Sequence, residues 1–212
     1  MLKRVINCFV NQTYCNKQLV ILYEEADLPT HEFIIRQDFG SDFKIVKIDA
    51  DTKITLGELR NRSVEAADGS YVCQWDDDDW YDADRLTEQM NHLMFHGKSG
   101  SILSLWIVFD ALTQKAYLPQ PYLWEGSILC KRELMLQTPY PSIPKGEDTS
   151  VIQSLFRNNE LSIIDDMPHL YVYICHGNNT WEYAHFKNII ENSLELSFEY
   201  TKEVLGVLSD FG

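Results

Sequence analysis

Short apolar runs alternate with helix-like segments through the first half of this 212-residue chain. Residues Gln18 to Tyr23, Phe43 to Ile48 and Ser70 to Trp75 have the length and composition of buried strands. Between the last two, Thr55-Leu-Gly-Glu58 matches a capping box, which predicts a helix from there to about Ala67. Strands that alternate with helices form parallel βαβ units. The pattern therefore predicts an α/β fold with a mostly parallel central sheet flanked by helices.

The rest of the chain continues as a mixture of both elements within one domain. Helical spacing is expected at the start of the chain, around Leu86 to Met94 before Gly97, at Asp148 to Asn158, and from Trp181 onward. Strands are expected at Ser101 to Phe109, Gly126 to Lys131, Leu161 to Ile164 and Leu170 to Cys175. We predict a single domain over residues 1–212.

An acidic loop, Asp76-Asp77-Asp78-Asp79-Trp80, directly follows the strand that ends at Trp75. In α/β sheets, ligands bind beyond the carboxyl ends of the strands. Adjacent carboxylates repel one another unless a cation is present. Mg²⁺ or Mn²⁺ takes one or two carboxylates and completes its shell with phosphates and water. A solvated loop that caps a helix beginning near Asp82 is the alternative. An EF-hand is excluded, because its sixth position would be Tyr81.

The composition limits the partners and the compartment. The formal net charge of -14 argues against a nucleic-acid partner and against broad attraction to anionic lipid. No apolar run reaches transmembrane length, and no secretory signal is present in this sequence. Five cysteines with scattered spacing and no CxxC pair predict buried, reduced thiols. We expect a cytoplasmic protein, either free or peripheral to the inner face of the membrane.

A series of short motifs extends along nearly the whole chain. The stretches are Gln12 to Val20, Leu56 to Asn61, Ala67 to Tyr81, Arg85-Leu86 with Gln89, Trp124 to Ser127, Lys145 to Thr149 and His176 to Trp181. In this order and spacing the series resembles family 2 of the inverting glycosyltransferases with the GT-A fold. The resemblance implies a Rossmann-like, mostly parallel sheet, a nucleotide-sugar donor and a Mn²⁺ or Mg²⁺ cofactor. It also implies that the domain has a nucleotide- and metal-binding half at about 1–100 and an acceptor-binding half at about 101–212.

The resemblance also assigns the donor-binding residues. The family's DxD motif falls on Asp76, Asp77 and Asp78. The first two would face the ribose and diphosphate of the donor, and Asp78 would bind the metal ion. Arg60, of the family's Arg-Asn pair, would contact the nucleotide. Glu24 occupies the position where the family usually has an Asp for the base, so the longer side chain is a departure from the pattern.

The remaining roles fall on the second half of the chain. Glu147-Asp148 matches the family's Glu-Asp motif, which makes Asp148 the catalytic base and places Glu147 at the donor. His176 matches a C-terminal His that approaches the metal or diphosphate. Trp124 and Gly126 belong to a stretch that would shape the acceptor and donor-sugar pocket.

Each of these residues also has an ordinary structural alternative. The Glu147-Asp148 pair would serve equally as a helix cap. His176 would be a hydrogen-bonded residue at a turn, Arg60 would lie on the solvent face of its helix, and Trp124 would be part of the core. The chemistry itself is consistent with the implied roles, because inverting transfer needs one base for the acceptor hydroxyl and a Lewis acid for the leaving diphosphate.

One departure from the family concerns the beginning of the chain. The family starts with a central strand and a Pro-Thr-Tyr-Asn-like turn, whereas Met1 already lies at the start of the helix that follows them. We therefore expect a GT-A sheet without its N-terminal strand. The chain would be a fragment or start at an internal Met, or another segment or chain would supply the pairing, or the protein would be a degraded relative.

The leading hypothesis is a metal-dependent inverting glycosyltransferase of cell-surface polysaccharide biosynthesis. It would move a sugar from a UDP-, GDP- or dTDP-sugar to the hydroxyl of a saccharide, lipid-linked or protein acceptor. The alternative is a truncated, non-catalytic relative that acts as a binding or assembly module. A sugar nucleotidyltransferase is a third possibility, but it would need a Gly-rich N-terminal phosphate loop, which this sequence lacks.

Overall fold

A computed structural model describes residues 2–49 and 53–209 of the chain. The helices are α1 (Leu2–Val10), α2 (Leu28–Ile35), α3 (Leu56–Ala66), α4 (Arg85–Phe95), α5 (Arg132–Gln137), α6 (Glu147–Arg157), α7 (Tyr183–Glu191) and α8 (Phe198–Ser209). The strands are β1 (Leu19–Glu24), β2 (Phe43–Ile48), β3 (Tyr71–Cys73), β4 (Trp80–Tyr81), β5 (Gly100–Leu103), β6 (Ile107–Asp110), β7 (Lys115–Leu118), β8 (Leu129–Lys131), β9 (Leu161–Ile164), β10 (Tyr171–Cys175) and β11 (Leu194–Glu195).

The chain forms two compact units, each assembled from segments that are distant in sequence. Unit 1 consists of Met1–Tyr14, Cys73–Leu129 and Glu160–Gly212. Unit 2 consists of Cys15–Val72 and Cys130–Asn159. Each unit therefore takes residues from both sides of position 100, where the sequence predicted the change from the nucleotide half to the acceptor half.

Unit 1 contains a mixed five-stranded sheet in the order β11-β7-β6-β10-β4. Strands β6 and β10 pair in parallel, while β7, β4 and β11 join antiparallel. A second, parallel pair joins β5 to β9. Every residue of β5 and β6 is buried, including Ser101 and Asp110, which explains why both segments are mainly apolar and do not alternate with exposed polar residues.

Unit 2 contains the parallel pair of β1 and β2, with Leu19 opposite Phe43. Helix α2, which the sequence did not predict, connects the two strands and makes them a βαβ unit, the type of unit expected for the first half of the chain. The predicted capping box at the start of α3 is confirmed. The Thr55 hydroxyl accepts a hydrogen bond from the Glu58 N–H at 3.3 Å, and the Glu58 carboxylate accepts from the Thr55 N–H at 2.8 Å.

Two predicted strands differ from the structure, and several elements were not predicted. The segment Ser101 to Phe109, which was predicted as one strand, forms two strands with different partners. Strand β5 pairs with β9, whereas β6 pairs with β10. In the strand expected over Gly126 to Lys131, only Leu129–Lys131 is extended, since Ser127 closes a 3₁₀ turn by donating to the Trp124 carbonyl. Strands β4, β7 and β11 and helices α2 and α5 were not predicted.

The alternative role for the acidic loop, as the cap of a helix near Asp82, is wrong in that form. Helix α4 begins at Arg85, and the side chain of its N-cap residue, Asp84, makes no capping hydrogen bond. The acidic residues before it therefore have other partners, which are described below.

The prediction that the cysteines are buried is correct for three of the five. Cys8, Cys130 and Cys175 are buried, whereas Cys73 is half-buried and Cys15 is exposed. Cys15 lies in the irregular segment after α1, where no apolar element covers it. Within residues 2–49 and 53–209, no helix has both the length and the apolar character needed to cross a bilayer.

Candidate functional site

Strand pairing in unit 1 brings the acidic loop to the end of β10. The short strand β4 begins immediately after Asp79 and runs antiparallel to β10, with Trp80 opposite Val172. In an antiparallel pair, moving back along one strand corresponds to moving forward along the other. The acidic residues that precede β4 therefore lie beside the last residues of β10 and the turn that begins at His176.

Asp78 contacts this turn directly. Its Oδ2 lies 3.1 Å from Nε2 of His176 and accepts a hydrogen bond from the Asn179 amide at 3.2 Å. Nδ1 of His176 accepts from the Asn178 N–H at 3.2 Å, so Nε2 carries the ring proton and donates it to Asp78. The structure thus brings together the two side chains that the resemblance assigned to the metal.

The first two acids of the loop are held differently. The Asp76 carboxylate accepts from the Gln74 amide at 3.1 Å, and its backbone N–H donates to the Tyr81 hydroxyl at 2.7 Å. Although the Asp77 side chain is exposed, the surrounding protein displaces enough water to raise the pKa of its carboxyl. The negative charges of Asp78 and Asp76 raise it further. A cation at the loop would relieve this repulsion.

Asp79 points the other way, into the protein, and is fully buried. Its carboxylate accepts hydrogen bonds from the Tyr171 hydroxyl and, at 2.9 Å, from the Ile174 N–H. Burial raises the pKa of Asp79 well above its ordinary value, the charges of Asp78 and Asp76 add to the rise, and the two hydrogen bonds oppose it. Burial also raises the pKa of Tyr171, so its hydroxyl keeps the proton that it donates.

A buried arginine packs against the aromatic residues next to the loop. The guanidinium of Arg85, which is fully buried, lies 4.4 Å from the ring centroid of Tyr81, 4.9 Å from that of Trp75 and 5.0 Å from that of Tyr171. It also donates to the Gln74 carbonyl at 3.1 Å. These cation–π contacts fix the aromatic rings on which the loop and β4 rest.

Trp124 and Gly126 border the same network. The Trp124 ring stacks on Trp106 with centroids 4.6 Å apart and meets Tyr173 edge-on at 5.4 Å. A Cβ placed on Gly126 would lie 3.4 Å from both the Trp124 Nε1 and the Tyr171 hydroxyl, so Gly126 packs directly against these two side chains. Trp124 is half-buried within an aromatic group, and its role as a pocket wall stays a prediction.

Unit 2 contains the other residues assigned from the resemblance. Arg60 on α3 donates to the carboxylate of Glu147 at 2.5 Å, and the side-chain exposures are 17% and 2%. The alternative that Arg60 lies on the solvent face of its helix is therefore wrong. Asp148 is half-buried in the first turn of α6, after Gly146 in a left-handed conformation with φ 69°. Glu24 is exposed at the carboxyl end of β1.

Several residues that shape these two clusters were missed by the sequence reasoning. In unit 1 they are Tyr171, Arg85 and Asn179. Tyr171 contacts Asp79 and Asn179 contacts Asp78, which are 92 and 101 residues away along the chain. In unit 2, Asn61 forms a two-way hydrogen bond with Tyr140, donating to its carbonyl at 2.8 Å and accepting from its N–H at 2.9 Å. Arg85, Asn179 and Asn61 belong to the motif stretches, so their presence there was the available signal.

The acidic loop fits a hard divalent cation only as a site shared with a substrate. Across the residues that the structure describes, no group of three or more His, Cys, Asp or Glu side chains is arranged to hold a metal ion. Asp78 and His176 make a pair, and Mg²⁺ or Mn²⁺ bound to nucleotides commonly takes one or two protein ligands with phosphates and water around them. Donor phosphates would have to supply the remaining ligands.

Comparisons with known proteins agree with this geometry. The glycosyl transferase family 2 model matches residues 1–166. The amylovoran biosynthesis glycosyltransferase AmsB of Erwinia amylovora is 29% identical over 87 residues, which are 41% of this chain and 29% of that protein.

Among solved structures, residues 1–349 of S. aureus TarS in complex with UDP match with a TM-score of 0.67 and 14% identity, over 89% of this chain and 65% of that one. The same fragment with UDP-GlcNAc matches with a TM-score of 0.64 and 12% identity, over 82% and 55%. This chain thus spans less than two thirds of the length of these relatives.

The sheets flanked by helices and the likeness to TarS define an α/β glycosyltransferase fold of the GT-A type, which confirms the predicted fold class. The chain belongs to glycosyl transferase family 2. The family recognised from the motifs is therefore confirmed, and with it the class of enzyme to which its relatives belong.

Proposed function

We propose that this chain carries out metal-dependent, inverting transfer of a sugar from a nucleotide-sugar donor to an acceptor hydroxyl. The contact between Asp78 and His176 carries the proposal, because it joins an acidic loop at a strand end to a ring nitrogen 98 residues away. Family membership gives the reaction class, and the TarS complexes with UDP and UDP-GlcNAc support a nucleotide-sugar donor. A UDP-sugar is therefore the first donor to test, before GDP- and dTDP-sugars.

Asp78 and His176 would hold Mn²⁺ or Mg²⁺ together with the donor diphosphate. The bound ion would act as a Lewis acid that stabilises the charge growing on the leaving diphosphate. Asp76 and Asp77 would face the ribose and diphosphate. Their mutual repulsion with Asp78 supports this arrangement, because a cation shared with the donor relieves it.

Asp148 would accept the proton of the acceptor hydroxyl as that oxygen attacks the anomeric carbon. A half-buried carboxylate at a helix start suits such a base, since it combines access to substrate with a fixed position. Glu147 is buried and pairs with Arg60. This pair therefore fixes the start of α6, which is the backbone from which Asp148 projects. Arg60, Glu147 and Glu24 are proposed to line the nucleotide-binding part of the site.

The acceptor must present a hydroxyl group as the nucleophile. The name of AmsB assigns that protein to amylovoran biosynthesis, which supports a role for this chain in cell-surface polysaccharide synthesis. A saccharide, a lipid-linked saccharide or a protein hydroxyl would each present the required nucleophile. The free thiols support a cytoplasmic location, either free or peripheral to the inner face of the membrane.

The test is release of nucleoside diphosphate from UDP-, GDP- and dTDP-sugars by the purified chain with Mn²⁺, Mg²⁺ or EDTA. We expect metal-dependent turnover that falls at least about 100-fold in Asp78→Asn and in Asp148→Asn. Asp68→Asn is the matched control, because that exposed carboxylate contacts only the side chains of Lys44 and Gln18, each at 2.9 Å, and has no assigned role in the reaction. It should retain full activity.

Calorimetric titration with UDP and Mn²⁺ separates catalysis from binding. An enzyme should bind UDP more tightly with the metal, and Asp148→Asn should keep this coupling while losing turnover. Binding without turnover for every donor would instead favour a non-catalytic binding module. Full activity in both Asp→Asn variants would contradict the roles assigned to Asp78 and Asp148.

A further inference from the structure

The fourth acid of the loop has no role in the proposed reaction. Asp76, Asp77 and Asp78 lie toward the loop surface, whereas Asp79 is fully buried and faces β10. A buried carboxylate is costly unless it makes specific hydrogen bonds. The role of Asp79 is therefore to be found in the two groups with which it makes hydrogen bonds.

Both partners of Asp79 belong to β10. Its Oδ1 accepts from the Ile174 N–H at 2.9 Å, and its Oδ2 accepts from the Tyr171 hydroxyl. Ile174 is two residues before His176. Asn179 donates to the Ile174 carbonyl at 2.9 Å and to Asp78 at 3.2 Å. The peptide groups of Ile174 are thus bound on one side by Asp79 and on the other by Asn179.

These contacts form a closed ring of interactions that includes the Asp78–His176 pair. One side of the ring is the covalent link from Asp78 to Asp79, and the next is the hydrogen bond from Ile174 to Asp79. The chain from Ile174 to His176 and the contact of His176 with Asp78 complete it. The antiparallel pairing of β4 with β10 covers only two residue pairs. The hydrogen bonds of Asp79 therefore add to a short strand connection and help to fix the position of the loop.

We propose that Asp79 is a positioning residue, which fixes the acidic loop to β10 and thereby holds Asp78 and His176 at the spacing that the metal–diphosphate group requires. The inference rests on the proposed function for its effect on turnover. Its geometric part concerns only the Asp78–His176 contact and is tested separately. Misplacement of a reacting group by about 1 Å costs up to about 100-fold in rate.

Three substitutions distinguish positioning from a general loss of packing. Asp79→Ala removes both hydrogen bonds and should lower kcat about 10- to 100-fold, with a smaller change in the donor KM. Asp79→Asn keeps an oxygen for the Ile174 N–H and an amide that can donate to the Tyr171 oxygen. It should stay within about threefold of the wild type. Tyr171→Phe removes one hydrogen bond and leaves the ring under Arg85, so its kcat should fall between the two.

Val204→Ala provides the stability control. Val204 is 4% exposed in α8 of the same unit, so the substitution removes buried methyl groups without touching the loop's hydrogen bonds. It should lower the thermal midpoint and leave kcat unchanged at a temperature where the protein is folded. An equal loss of kcat in Val204→Ala would mean that lower stability alone explains the effect, and would overturn the proposal.

The geometric readout is the imidazole NMR spectrum of histidine-labelled protein at pH 8, with His176 assigned by His176→Gln. In the wild type, His176 should show the Nε2–H tautomer that donates to Asp78. In Asp79→Ala this signature should give way to a mixture of tautomers, and Asp79→Asn should restore it. An unchanged His176 spectrum in Asp79→Ala, or equal defects in Asp79→Ala and Asp79→Asn, would overturn the proposal.

These two readouts keep the inference separate from the proposed function. If the wild type shows no turnover, the proposed function fails and the His176 spectrum alone decides the role of Asp79. If Asp79→Ala does not fold, Tyr171→Phe takes its place, and an unchanged kcat and His176 spectrum in that variant would refute the positioning role.

Discussion

Gly57 provides the sharpest test of how unit 2 is packed. It is the second residue of α3, where alanine would normally be the better helix former. A Cβ built on Gly57 would lie 1.9 Å from the carbonyl oxygen of Pro141 and 3.0 Å from its carbon. These are backbone atoms, so they cannot move aside as a flexible side chain would. The Gly57 N–H also donates to the Ile143 carbonyl at 3.3 Å.

Two opposing terms decide the effect of Gly57→Ala. Helix propensity alone would stabilise the protein by about 1 kcal/mol. The clash requires a shift of more than about 1 Å between α3 and the backbone at Pro141, and overpacking of this kind costs about 1–3 kcal/mol or more. The cost of the clash exceeds the gain in helix propensity, because the shift also disturbs the paired hydrogen bonds between Asn61 and Tyr140. We expect a net destabilisation of about 2 kcal/mol.

Gly206→Ala is the matched control, because Gly206 also lies in a helix, α8, and a Cβ there meets nothing within 4 Å. That variant should be more stable than the wild type by about 0.5–1 kcal/mol. In thermal and urea unfolding, Gly57→Ala should lower the midpoint by about 4–8 °C and Gly206→Ala should raise it by about 2 °C. If both alanines stabilise the protein, the close approach of Pro141 to α3 is refuted.

Three further predictions concern other parts of the molecule. Arg60→Ala leaves the 2%-exposed Glu147 carboxylate without its ion pair, so it should cost about 3 kcal/mol in urea unfolding, and a loss below about 1 kcal/mol would contradict it. Desolvation and then a neighbouring histidine lower the pKa of His92, so the folded state binds fewer protons than the unfolded state. Stability should therefore fall as the pH drops below about 6.5, and the thermal midpoint of His92→Gln should fall less between pH 7.5 and 5.5 than that of the wild type. With iodoacetamide at pH 8, mass spectrometry should find exposed Cys15 modified first, while Cys175 stays intact because burial raises its pKa to about 11.

Local signals in the sequence predicted much of the secondary structure. The bounds of β2 were predicted as Phe43 to Ile48, and the capping box at Thr55 located the start of α3. Both signals are complete within a few neighbouring residues, because an apolar run or a cap depends on adjacent backbone groups. The motif series was also sufficient to identify the family, since it lies along the chain in a fixed order.

The sequence did not show where one apolar run divides between two sheets. Ser101 to Phe109 looked like one strand, and the division follows from which strands lie beside it. The first part pairs with β9 and the second with β10. Partners of this kind are about 60 residues away along the chain, and no local pattern specifies them.

By itself, the sequence determined the order of most elements, the family and the identity of the acidic loop. Only the tertiary structure decided that Asp78 meets His176, that Asp79 turns inward to Tyr171, and that Arg60 pairs with Glu147. Four consecutive aspartates look alike in a sequence. Their different roles arise because the antiparallel pairing of β4 with β10 sets one side chain against the core and places the preceding one at the His176 turn.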